Sequence, residues 1–105
     1  MEGRVVEAIV RTGRFGPTLR LRVDLHGVSS FGPGKHRTLI RWEWIERITA
    51  DQHGVVVTSD KGELAFPAGV FGLPPEALAE RLEKAGSIFQ RADVIAELSR
   101  TAEGP

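Results

Sequence analysis

Thr18-Leu19-Arg20-Leu21-Arg22-Val23-Asp24-Leu25 alternates apolar and polar residues at every step. Leu19, Leu21, Val23 and Leu25 face one way; Arg20, Arg22 and Asp24 face the other. A period of two belongs to a β-strand with one buried face, because successive side chains leave the pleated chain on opposite sides.

Strands follow on both sides of this stretch. Upstream, Val5-Val6-Glu7-Ala8-Ile9-Val10 is a β-branched run bounded by Gly3 and by Thr12-Gly13, and Phe15-Gly16-Pro17 supplies a turn. Downstream, His26-Gly27 turns the chain into Val28 to Phe31. Gly32-Pro33-Gly34-Lys35 then connects that strand to His36 to Arg41, forming a hairpin. Ile45 to Ala50 and Val55 to Ser59 form a second hairpin around Asp51-Gln52-His53-Gly54. Asp60-Lys61-Gly62 leads into Glu63 to Phe66, and Pro67 ends that strand by withholding a ladder donor.

Beyond Pro67 the period changes. Leu73-Pro74-Pro75 opens a helix, with Glu76 favourably placed near its N-terminal dipole. Ala77, Leu78, Leu82 and Ala85 recur at helical spacing, Glu80 and Lys84 form an i,i+4 pair, and Gly86 ends the run. A second, shorter helix spans about 88–100, with Ala92, Ile95 and Leu98 or Ser99 on one stripe. About seven antiparallel strands followed by helix predict an α+β domain: a strongly bent sheet plugged at one end by a helix. The expected organisation is a single domain over 1–100, with its core in 4–86 and a flexible tail at 101–105.

A chain of 105 residues with 41% apolar content suits one core. It has no cysteine, which excludes disulfides and thiolate chemistry and suits a reducing cytoplasm. There is neither a signal-peptide pattern nor a run approaching the roughly 18–20 apolar residues of a membrane span, so a soluble, cytoplasmic chain is expected. Net charge is zero, which argues against a general nucleic-acid binder. The halves differ, however. Residues 1–49 hold nine Lys/Arg and five Asp/Glu (+4), while residues 50–105 hold five and nine (−4).

Leu39-Ile40-Arg41-Trp42-Glu43-Trp44-Ile45-Glu46-Arg47-Ile48 resembles the core signature of bacterial pleckstrin-homology-like domains. In that signature an apolar strand runs into a Trp, followed by aliphatic residues three and six positions on; Trp42, Ile45 and Ile48 fit. Asp60-Lys61-Gly62-Glu63-Leu64-Ala65-Phe66-Pro67 is similar to the family's turn, strand and closing proline. The likeness runs from about Thr18 to Gly86. It implies a seven-stranded, half-open barrel capped by a C-terminal helix, in a family of binding or assembly modules; the second helix lies outside the pattern. Spacing by three cannot stay on one side of a regular strand, so the chain must bulge or make a helical turn near Glu43. Trp42 and Trp44 are then both core, or Trp44 is exposed at an interface.

Residues with catalytic potential are sparse. No serine has elbow glycines, and His26, His36 and His53 sit beside turns without metal-ligand spacing. Glu76, Glu80 and Glu83 read as a solvated helix face. No catalytic residue, metal site or cofactor is expected. Two binding surfaces are. The first groups Arg11, Arg14, Arg20 and Arg22, with Lys35 and Arg37 joining if their strands are neighbours. It is similar to the basic pattern with which lipid-binding pleckstrin-homology domains grip anionic headgroups, though without their preceding lysine. The second is apolar. Phe71 and Leu73 either pack under the helix or form a docking patch with Phe89 and Ile95, serving a protein partner or self-association, with Trp44 a further candidate.

Overall fold

The computed structural model of the chain describes residues 4–11 and 16–103. Seven strands come first: β1 (Val5–Arg11), β2 (Thr18–Asp24), β3 (Gly27–Phe31), β4 (Arg37–Arg41), β5 (Ile45–Asp51), β6 (Gly54–Ser59) and β7 (Gly62–Pro67). Two helices follow, α1 (Pro75–Lys84) and α2 (Arg91–Ala102), and short 3-10 turns occupy Trp42–Trp44 and Val70–Gly72. Every strand pairing is antiparallel, and every strand lies beside its sequence neighbour in one of two meanders, β1-β2-β3-β4 and β5-β6-β7. The α+β class expected from the sequence is therefore the class observed. Among the described residues no ladder joins the two meanders, so the sheets are not closed into a barrel.

The alternation in β2 buries Leu21 and Val23, and half-buries Leu19, as the period requires. Leu25 departs from it. The strand ends at Asp24, whose Oδ1 accepts hydrogen bonds from the backbone N–H groups of His26 (2.8 Å) and Gly27 (3.1 Å). That local bond turns the chain out of the ladder and leaves Leu25 41% exposed. Gly27 opens β3 at close quarters: a Cβ there would meet the Ile40 carbonyl oxygen at 2.2 Å, so only glycine fits.

The junction at Trp42 resolves its three-residue spacing twice over. A 3-10 turn over Trp42–Trp44 separates β4 from β5, and a bulge shifts the β5–β6 register between Ile45 and Arg47. Ile45 and Ile48 thus both pack against the core. Trp42 is buried, its indole N–H donating to the Asp24 carbonyl at 2.9 Å. Arg91 lies over the Trp42 ring at 5.2 Å. Its guanidinium also donates to the carbonyls of Ala85 (2.8 Å), Gly86 (3.2 Å) and Leu25 (3.3 Å). One side chain thereby joins the start of α2 to the end of α1 and to the four-stranded sheet.

Pro75 occupies the first turn of α1, where its missing N–H is no loss. Leu78, Leu82 and Ala85 turn inward as helix α1 lies across β5 and β6. Helix α2 packs against β1 and the Val70–Gly72 turn, burying Val94, Ile95 and Leu98. It belongs to the same core cluster as both sheets. Thr101 and Ala102, expected in a flexible tail, instead belong to α2, where the Thr101 hydroxyl donates to the Leu98 carbonyl at 3.1 Å; 104–105 lie outside the described residues. Leu98→Ala is accordingly expected to cost about 2–5 kcal/mol of unfolding free energy in a urea titration. A loss below about 0.5 kcal/mol would mean that α2 is not part of the core.

Candidate functional site: a cationic and aromatic row on the outer sheet face

Because β1 to β4 bury one face, their alternate residues form rows on the other. Ile9, Arg20, Phe31 and Arg37 stand opposite one another across the four strands, giving one row that reads apolar, cation, aromatic, cation. The next row is Glu7, Arg22, Ser29 and Leu39. Inward neighbours Leu21, Val23, Val28 and Ile40 are buried, so these rows lie on the outer face, where Ser29 is nonetheless covered (2% exposed).

Three guanidinium groups gather around the Phe31 ring: Arg22 at 4.8 Å, Arg37 at 5.3 Å and Arg20 at 5.7 Å from its centroid. Each contact contributes about 0.5–1 kcal/mol at an exposed site. One carboxylate stands among them. Glu7 Oε2 accepts from Arg22 Nε at 2.6 Å and lies 3.9 Å from Arg20. Among the described residues Arg37 has no carboxylate partner, so three cations share one anion. A guanidinium over a ring uses its face for the ring and keeps in-plane N–H donors for an oxygen acid, which it can bind bidentately. Ile9, 76% exposed, extends the row with bare apolar surface. A depression of about 440 Å³ lies among Ile9, Thr18, Arg20, Phe31 and Pro33.

Of the basic residues expected to converge, Arg20, Arg22 and Arg37 do. Arg11 is exposed one row away, opposite Thr18. Lys35 projects from the exposed β3–β4 connection rather than from the sheet. Arg14 lies outside the described residues, as does Phe15 of the expected turn.

The apolar patch does not assemble. Phe71 (3% exposed) and Ile95 (0%) are core residues, and Leu73 is half-buried against them. Phe71 is inside because its backbone is left-handed (φ 61°), between Gly69 and Gly72 which share that region, and this turns its ring onto Phe66 at 6.0 Å. Trp44 is half-buried, with Arg41 (5.8 Å) and Lys61 (5.6 Å) over its ring. Arg41 also pairs with Glu43 at 3.2 Å. The Glu43 carboxyl is held below its ordinary range, first by a hydrogen bond to its own backbone N–H and then by Arg41.

Phe89 alone of that set is bare, 92% exposed, beside Ile88 at 71% in the α1–α2 turn. Phe89→Ser is expected to change stability by no more than about 0.5 kcal/mol in thermal or urea melts. A loss of several kcal/mol would show that the ring is packed.

Among the described residues no three His, Cys, Asp or Glu side chains lie together as metal ligands, and no helix is long and apolar enough to cross a membrane. Sequence reasoning missed Phe31, although its signal was present. Alternation along Val28 to Phe31 puts Ser29 and Phe31 on one side, and the register that pairs Val28 with Val23 sets them outward beside Arg22 and Arg20. Comparison with known proteins adds no relative: no family model matches the chain, and neither a curated protein nor a solved structure does.

Proposed function

We propose that this chain is a non-catalytic binding module of the pleckstrin-homology-like kind, which docks an acidic segment of a partner protein on the outer face of its four-stranded sheet. Meanders of four and three strands, followed by a helix across the second, support the architectural half of this reading. The single observation that carries the binding half is the convergence of Arg20, Arg22 and Arg37 on Phe31 with, among the described residues, only Glu7 paired to them. Crowding cations is unfavourable by up to about 1 kcal/mol per pair in water, and an acidic ligand relieves it.

One observation favours a second reading, an anionic membrane surface. Ile88 and Phe89 form a bare apolar tip of the kind that enters a headgroup layer. The two readings separate by titrating the chain with poly-L-glutamate and with vesicles rich in anionic lipid. Protein docking expects saturable, salt-sensitive binding of polyglutamate that requires Arg20 and Arg37. Binding to vesicles alone, lost in Phe89→Ser, would replace it with the membrane reading.

A further inference from the structure

The order of residues along the outer row says more about the partner than its charge does. Apolar and cationic side chains alternate across the strands: Ile9, Arg20, Phe31, Arg37. Along the strands they do not, since β2 presents Thr18, Arg20, Arg22 and then Asp24 on this face. A complementary ligand must therefore lie across the sheet. Neighbouring strands stand about 4.8 Å apart, so the row from Ile9 to Arg37 covers roughly 14 Å in three steps.

Two regular backbones can be measured against that row. An extended chain presents every second residue on one side, at about 6.7 Å per step, and overshoots to about 20 Å in three steps. An α-helix presents residues i, i+4, i+7 and i+11 along one stripe. Its rise of about 1.5 Å per residue covers roughly 16 Å, within about 2 Å of the row. Resting on the reading that an acidic partner docks here, we infer that the partner segment is an amphipathic α-helix. One stripe of that helix alternates acidic and apolar side chains a turn apart. Its carboxylates meet Arg20 and Arg37, and its apolar residues meet Phe31 and Ile9 with the depression beside them.

Three synthetic peptides test this against the full chain by fluorescence anisotropy. The first alternates Glu and Leu at i, i+4, i+7 and i+11 on an alanine-rich helical background. The second has the same composition with Glu and Leu alternating at every second residue. The third is the first with Gln for every Glu. The first is expected to bind at least about tenfold more tightly than either of the others, a difference of about 1.4 kcal/mol. Ile9→Ala, an exposed substitution that adds no charge, should weaken the first peptide by more than it weakens the second, with circular dichroism verifying the fold. Equal binding of the first two peptides, still dependent on Arg20 and Arg37, would overturn the helix while leaving the acidic-partner reading standing. No binding of any acidic peptide, whether or not anionic vesicles or nucleic acid bind, would overturn both.

Discussion

Trp42→Ala is expected to cost at least about 3–5 kcal/mol, the usual range for removing a buried tryptophan. Most of the stability of a domain this size lies within about 5–15 kcal/mol, so the variant should be close to unfolding at physiological temperature. Three physical losses combine. The cavity opens at the junction between the two meanders, where Trp42 packs between β4 and β5. The Asp24 carbonyl loses the indole donor that satisfies it. Arg91 loses the ring beneath its guanidinium, weakening the one side chain that ties both helices to Leu25. In a thermal melt the midpoint should fall by roughly 15–30 °C. Trp42→Phe separates the contributions: it keeps most of the volume and loses the N–H, so it should cost about 1–3 kcal/mol. If the alanine variant melted with the parent, the junction would not be what holds the two meanders and the helices together.

Reversing two arginines should have the opposite profile. Arg20→Glu with Arg37→Glu is expected to abolish binding of polyglutamate, a loss of at least about 100-fold. Hydrogen bonds to a charged group are worth about 1.5–3 kcal/mol each, and the new carboxylates add repulsion. Stability should fall by no more than about 1–2 kcal/mol, the worth of the two ring contacts that are lost. Both side chains stand on the exposed face, Arg20 54% free of its neighbours, and the double variant relieves the cationic crowding around Phe31. Arg22 is spared, because its half-buried guanidinium already holds Glu7. The binding of the parent chain should also weaken steeply with salt, since surface charges are screened beyond a Debye length of about 10 Å at 0.1 M. A double variant that binds polyglutamate as well as the parent would remove the outer row from the account.

Local chemistry wrote much of this fold plainly, and long-range chemistry wrote the rest where no window on the sequence could read it. The alternation from Leu19 to Val23 needs only the pleat, and the strand it specifies is there. The spacing of Trp42, Ile45 and Ile48 demanded a break, and both a 3-10 turn and a bulge supply it. Leu25 defied its period because Asp24, one residue earlier, captures two backbone N–H groups. The apolar docking patch failed for a different reason. Phe71 and Ile95 look available only while their burial partners are unknown: a left-handed backbone turns Phe71 inward, and packing against β1 covers α2. The bond from Arg91 to Leu25 joins residues 66 positions apart, a contact no sequence period encodes. The basic face was half legible. Arg20 and Arg22 announced themselves by alternation, whereas Phe31 and Arg37 joined them only through strand register.

The most direct test of the outer row is a two-dimensional amide NMR titration of the full chain with polyglutamate at low salt. Shift changes should concentrate in β2, β3 and β4 around Arg20, Phe31 and Arg37, and vanish in the double charge reversal. Changes centred on Ile88 and Phe89, or spread evenly over every lysine and arginine, would contradict the site.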